Sequence, residues 1–322
     1  MEDPLVPAPC SLLVLSGAEC RGLLDLDDLR RALGTAMRLH SDGETSVPPR
    51  IATFSRSGLL AAMPGTINDV GMAAKLVSVF ADNHGGPVPS HQGLIALFDE
   101  HDGRPLALMD GAYITAIRTA SAAALAAEFA GRADASSLTI IGAGIQGHAH
   151  ARAFAGIRDW TDIRVASRTP DHAVALADVT PHGRAVASFD EAVRDADVVA
   201  LCTDARDPVV DHSWLCAGAH VSSVGTGYEV DAPTIAAADR ILVEWREAGQ
   251  NPPPAGAVEL QAIDPATLVE IGDVVAGRAT ARQHDDELTV YKSTGHAVQD
   301  IAAARLVYDR ALELGVGTRI EV

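Results

Sequence analysis

Residues 139–154 read TIIGAGIQGHAHARAF, and the glycines at 142, 144 and 147 sit where an apolar β-branched run meets an alanine-rich stretch. The run at 138–141 has the character of a short buried strand, and 145–155 carries good helix formers. In this G-x-G-x-x-G spacing the first glycine permits a tight turn. The second lets a pyrophosphate approach the backbone, and the third lets helix and strand pack closely. The helix that follows turns unpaired N–H groups and a partial positive charge toward the same spot. Glycine-rich turns are common, so the surrounding chain decides whether this one cradles phosphate or only reverses direction.

From residue 138 onward, short apolar runs alternate with helix-like stretches. Strand candidates fall at 138–141, 163–167, 185–188, 198–203, 220–224 and 241–243, with helices at 145–155, 170–177, 189–196 and 232–238. This βαβα cadence predicts an α/β architecture with a Rossmann-type, doubly wound parallel sheet, and the glycines occupy its first crossing. The first 115 residues read differently. Ser16–Glu19 has the form of a capping box, 26–39 a helix, and strand candidates follow at 50–54, 59–63, 72–80, 93–98 and 106–109. Asp102-Gly103 marks a hairpin between the last two. The pattern predicts a separate antiparallel α+β domain. The amphipathic stretch 297–314, after the last strand ELTVYKS, predicts a helix that returns to pack on it.

The 322 residues suit two domains, and 48% hydrophobic with 21% charged residues is the composition of an ordinary globular chain. A net charge of −18 argues against nucleic-acid and anionic-membrane surfaces, so an anionic cofactor needs local positive groups. Cys10, Cys20, Cys202 and Cys216 form no CxxC pair, which points to reduced, partly buried thiols. His148 and His150 diverge on a helix and cannot share a metal, so no metal site is expected. The opening MEDPLVPAPC is acidic and proline-broken, and the low-charge segment 111–129 is interrupted by Arg118 and too weakly apolar to span a bilayer. A cytoplasmic protein is expected.

The adenosine ribose is normally met about 20 residues beyond the glycines, at the end of the second strand. Here that position holds Ser167-Arg168-Thr169, without an acidic residue to repel a 2′-phosphate. This favours NADP(H) over NAD(H), although strand ends also carry arginine as a plain surface charge and Asp171 keeps NAD(H) open. Lys75 lies in VGMAAKLVSVFADN, a strand apolar on both faces. It is either a snorkelling edge amine or a desolvated amine able to pass a proton. Arg118 is the sole charge between Asp110 and Glu128, in a helix of small residues. Its partner is either a ligand anion or a carboxylate of the protein. Arg50 follows two prolines that hold its approach rigid.

These residues and their surroundings resemble the ornithine cyclodeaminase/mu-crystallin family. The resemblance runs from PPR through GMAAKLVSVFADN, PSHQGLIALFDEHDGRPLALMDGAYITAIRTASAAALA, GAGIQG, SRT and LCTDARDPVV to DELTVYKSTGHAVQD. It implies a substrate and dimerisation domain at 1–116, to which 296–322 return, and a dinucleotide-binding domain at 117–295. It further implies a homodimer acting on small α-imino or α-amino acids with NAD(H) or NADP(H). Arg50, Lys75 and Arg118 would hold the substrate carboxylate, with Lys75 catalytic. Arg118, Thr119, Gly142, Gly144, Ile145 and Gln146 would line the pyrophosphate, Ser167, Arg168 and Thr169 the ribose, and Thr203 the nicotinamide. Ser293 and Gly295 would close over the cofactor, and Asn83 and His91 fall in a cleft motif.

One departure stands out. The cyclodeaminases carry an aspartate two residues after the glycine of the HVSSVG strand, and here Thr226, Gly227 and Tyr228 follow Gly225. Asp231 matches a helix-starting residue instead. The departure disfavours ornithine cyclisation and points to reduction of an imine or ketimine, equivalently an amino-acid dehydrogenase in reverse. An ammonia-eliminating cyclodeaminase and a non-catalytic NADPH-dependent binding protein are the other readings. The loop at 226–228 and SRSGLL are expected to border the substrate pocket.

Overall fold

The computed structural model describes residues 11–83, 86–225 and 227–322. In chain order the front segment forms β1 (Ser11–Leu15), α1 (Gly17–Leu23), α2 (Leu26–Ser41), β2 (Thr45–Ser46), β3 (Ile51–Phe54), β4 (Leu59–Ile67), β5 (Gly71–Val79), β6 (His91–Phe98) and β7 (Pro105–Asp110). The long helix α3 (Gly111–Ala130) leads out of it. There follow β8 (Ser137–Ile141), α4 (Ile145–Ala155), β9 (Asp162–Ala166), α5 (Pro170–Asp178), β10 (Gly183–Ala185), α6 (Phe189–Val193) and β11 (Val198–Leu201). Then come β12 (His220–Ser223), α7 (Ala232–Ala237), β13 (Arg240–Val243), β14 (Val269–Glu270), α8 (Ile271–Val275), β15 (Thr289–Lys292), α9 (Ala297–Leu314) and β16 (Thr318–Glu321).

Local chemistry sets these boundaries. Ser16 and Glu19 form the reciprocal capping box that starts α1, and Asp25 and Asp110 cap α2 and α3. Asp231 caps α7 by accepting the Thr234 N–H. Gly103, at φ +77°, turns the β6–β7 hairpin. The strand expected at 185–188 lies earlier, at Gly183–Ala185, because Ser188 is spent as the N-cap of α6.

Two sheets result. The second runs β10-β9-β8-β11-β12-β15-β13-β14, parallel at every pair, and its order reverses between β8 and β11. That is the doubly wound pattern, with a crevice at the carboxyl ends of β8 and β11. The first runs β16-β1-β7-β6-β5-β4-β2, with β3 also on β4. It corrects the expectation of a wholly antiparallel front segment, because β1 pairs with β7 in parallel and β16 adds an edge after α9. Neither strand was foreseen, since SLLVL and TRIE acquire partners only from residues about 90 or 300 positions away.

The helix α3 joins the two halves. It packs on α2, α4 and α9 and reaches β6, β12 and β15, and fifteen of its twenty residues are buried. Its alanines explain the reach, since side chains this small let helices and both sheets approach on every side. On the first sheet, Ile67, Ala73, Ile95, Leu97 and Met109 face a core shared with Leu29, Leu33 and Met37 of α2 and Val298 and Ile301 of α9. Truncating one of these leucines to alanine costs about 2–5 kcal/mol. Among the described residues no helix is long and apolar enough to cross a membrane.

Candidate functional site

Strand alternation in β5 puts Lys75 on the same face as Ala73, between Met63 of β4 and Ile95 of β6, and that face is covered by α9. Lys75 is therefore a core residue, 2% exposed, and the snorkelling alternative falls. Its Nζ lies 3.0 Å from Oδ1 and 2.9 Å from Oδ2 of Asp300, in the first turn of α9. Arg118 comes from α3, equally buried, and its Nε donates to Asp300 Oδ1 at 3.0 Å. A second guanidinium N–H donates to Gln299 Oε1. The third cation, Arg50, precedes β3 and donates to the backbone carbonyls of Thr294 and Gly295, the latter at 2.9 Å.

Three cations thus gather around the single carboxylate of Asp300. Both earlier alternatives for Arg118 meet in this geometry: it has a carboxylate partner within the protein, yet that partner is shared with a lysine. The surplus positive charge shows in the acidities. Burial, followed by Arg118, draws Lys75 down to about 7, while Asp300 opposes the shift. Burial and then Arg118 likewise lower Arg50 to about 10. An anion entering this cluster would relieve both.

A second buried carboxylate organises the surrounding loop. Glu244, after β13, accepts from Tyr291 Oη at 3.0 Å, Ser293 Oγ, the Thr294 N–H at 3.1 Å and Gln299 Nε2 at 3.3 Å. Ser293 is thereby buried with its hydroxyl committed to Glu244. Gly295, at φ +71°, abuts Arg118 so closely that a Cβ there would lie 2.9 Å from the guanidinium nitrogens. Asn83 donates to the Pro89 carbonyl, and His91, opposite Val79, lies four residues along β5 from Lys75, about 13 Å away.

The glycine turn lies at the carboxyl end of β8. Gly142 has φ +103°, and a Cβ there would sit 2.6 Å from the Cys202 carbonyl oxygen. At Gly147 a Cβ would sit 2.0 Å from the Gly142 carbonyl oxygen. Gly144 is the N-cap of α4, faces open space and supplies no side chain to the first-turn N–H groups. The backbone therefore presents free donors at an exposed, unobstructed helix start, which fits a phosphate-bearing cofactor. Ile145 is exposed beside it, Gln146 Oε1 is buried without a partner, and Thr119 is buried on α3. At the end of β9, Ser167 Oγ accepts the Thr169 N–H, and Arg168 is exposed with no ion pair among the described residues. Thr203, past the end of β11, is bonded through N–H and Oγ1 to Glu229 at 2.7 and 2.6 Å.

Asp300, Gln299, Glu244 and Glu229 escaped the sequence reading. Glu244 and Asp300 border apolar runs, where an acidic residue reads as a solvated end, and Gln299 and Glu229 carry no distinguishing pattern. A signal was available only for Glu244, which directly follows the apolar strand β13. Thr226, named in the substrate-loop expectation, lies outside the described residues.

A parallel doubly wound sheet with an open glycine turn, joined through α3 to a mixed sheet that buries Lys75, defines the class of protein: a dinucleotide-type α/β fold with a second domain. The chain belongs to the ornithine cyclodeaminase/mu-crystallin family, whose model matches residues 12–315. It is 32% identical to a Δ1-pyrroline-2-carboxylate reductase of Bacillus cereus, over 96% of this chain and 100% of the relative. It is 35% identical to the ketimine reductase mu-crystallin of Rattus norvegicus, over 83% of this chain and 86% of that one. In structure it is similar to Thermococcus litoralis Δ1-pyrroline-2-carboxylate reductase in complex with NADH and L-proline, with a TM-score of 0.90, 30% identity, and coverage of 96% and 100%.

Proposed function

We propose that this protein is a nicotinamide-dependent reductase of α-imino acids, working on a ketimine whose carboxylate adjoins the C=N bond. The observation that carries the reading is the cluster of Arg50, Lys75 and Arg118 around one carboxylate. The two guanidinium groups are suited to hold the substrate carboxylate, which fixes the C=N carbon and contributes to rate by positioning. When bound, the nicotinamide would supply hydride to that carbon. Lys75, poised near neutrality, gives its proton to the imine nitrogen as the C=N double bond becomes a C–N single bond. Asp300, bonded to Lys75 and Arg118, raises the lysine's proton affinity and so favours its reprotonation once the product leaves. The relatives' names make Δ1-pyrroline-2-carboxylate the first substrate to try.

Incubation of the purified protein with Δ1-pyrroline-2-carboxylate, or with pyruvate and methylamine, is expected to oxidise the reduced cofactor mole for mole. Ammonia release from ornithine without net cofactor oxidation would instead make it a cyclodeaminase. Tight cofactor binding with neither signal would leave a binding protein.

The cofactor reading favours NADP(H), because Arg168 is exposed, lacks an ion pair among the described residues, and follows the end of β9, the strand end that meets the adenosine ribose in a doubly wound sheet. Arg168→Asp is expected to lower affinity for NADPH at least about tenfold while sparing NADH, measured by titration. The same loss for both cofactors would remove the discriminating role.

A homodimer formed through the outer face of the first sheet completes the proposal. Ile51, Ala62, Leu76 and Leu94 form one cross-strand row there, and Ile51, Leu76 and Leu94 are 69%, 44% and 50% exposed. A contiguous apolar row of this kind marks an association surface.

A further inference from the structure

The carboxyl ends of β11 and β12 rest on a buried charge cluster that the proposed catalysis leaves unused. Glu229 is fully buried. Besides Thr203, it accepts from Ser223 Oγ at 2.8 Å and from the Gly225 N–H at 2.7 Å. Lys292, at the end of β15, is buried too and donates to Ser223 Oγ, the Gly225 carbonyl and Glu259 Oε1, the last at 2.8 Å. Glu259 Oε1 also accepts the Glu229 backbone N–H at 3.1 Å, while its Oε2 is buried without a partner. Glu259 thus takes the one ammonium while the Glu229 carboxylate meets only neutral donors, leaving one negative charge uncompensated where water does not screen it. Asp204 and Arg206, next along the chain from Thr203, are exposed, and solvent screens them.

In a doubly wound sheet the adenosine half of a dinucleotide lies on the side of the glycine turn and the second strand. The other mononucleotide lies beyond the switch point, over β11 and β12. An oxidised nicotinamide ring carries a positive charge that the reduced ring lacks. We infer that Glu229, Glu259 and Lys292 form an electrostatic bias that favours the oxidised nicotinamide over the reduced one and so eases the departure of hydride. Glu229 also fixes Thr203 and Gly225 at the rim and is a positioning residue, whereas Glu259 touches neither and contributes through its charge. The inference rests on the nicotinamide-dependent reading above.

The test measures dissociation constants of NADP+ and NADPH separately, by calorimetric titration of the wild-type protein, Glu229→Gln and Glu259→Gln. Each variant removes one negative charge. Only the first disturbs the bonds to Thr203 and Gly225, whereas in the second an amide nitrogen replaces an oxygen that has no partner. Both are expected to raise the ratio Kd(NADP+)/Kd(NADPH) by about fivefold or more. A ratio unchanged in Glu259→Gln, with native circular dichroism, would overturn the inference whatever Glu229→Gln does, since a shift confined to the latter would reflect loop geometry. Should Glu229→Gln fail to fold, Glu259→Gln decides alone. Binding of NAD(H) alone moves the same measurement to that pair, and failure of the wild-type protein to bind either NADP(H) or NAD(H) would sink the nicotinamide reading itself.

Discussion

Lys75 is where burial and chemistry meet most closely. An ammonium in a core between two arginines is costly, and Asp300 offsets only part of that cost. Replacing it with methionine keeps the volume and leaves Asp300 held by Arg118. Lys75→Met is expected to retain cofactor binding while turnover falls at least about a hundredfold, the scale of a lost proton donor, checked by steady-state kinetics. Its stability has a pH signature. The unfolded lysine titrates at 10.5 and the folded one at about 7, so the penalty on the wild-type protein is full below pH 7 and fades as pH rises toward 10.5. The variant's advantage in thermal unfolding should therefore be greater at pH 6 than at pH 10, and an advantage independent of pH would contradict a strained amine. Wild-type reductive turnover should also decline as pH rises past about 7. The oddity of Lys75 was legible in its strand, and that of Arg118 in its helix of small residues. Asp300 was not, because an acidic residue in the first turn of an amphipathic helix has an ordinary use as a complement to the helix dipole.

At the scale of elements, α4 and α3 position everything else. The turn before α4 tolerates no side chain at Gly147, where a Cβ would stand 2.0 Å from the Gly142 carbonyl oxygen. Gly147→Ala must push α4 off β8. Titration should show cofactor affinity reduced by about tenfold or more, with stability lowered by about 1–3 kcal/mol in urea unfolding. Retained affinity would mean that the helix start does not hold the phosphates. The helical and strand periods recovered most elements of the second sheet, since its βαβ units are local. They could not show that β15 inserts between β12 and β13, a placement that sets Tyr291 against Glu244 and Lys292 against Glu259.

For the whole molecule two expectations follow. Leu76→Arg, inside the exposed apolar row, should convert the proposed dimer to monomer in analytical ultracentrifugation, because a charge would be buried in a dry interface. A sedimentation coefficient equal to that of the wild-type protein would place any interface elsewhere. Acid should unfold the protein partly through buried histidines. Burial lowers His150 to about 4 and His220 to about 3, against 6.5 when unfolded. Unfolding therefore takes up protons as pH falls below 6.5, and His150 alone costs about 3 kcal/mol at pH 4. In His150→Gln, stability should fall less steeply between pH 6 and pH 4, and an equal slope would assign acid sensitivity to other groups.

What the chain alone determined was whatever depends on near neighbours: the glycine turn between strand and helix, the helical and strand periods, the caps, and the strangeness of a lysine and an arginine in apolar surroundings. What only the folded molecule decided was the company those charges keep. Lys75 meets Asp300 across 225 positions and Lys292 meets Glu259 across 33. A charge takes its acidity from partners in space, and the order of residues fixes those partners only through the packing of whole elements.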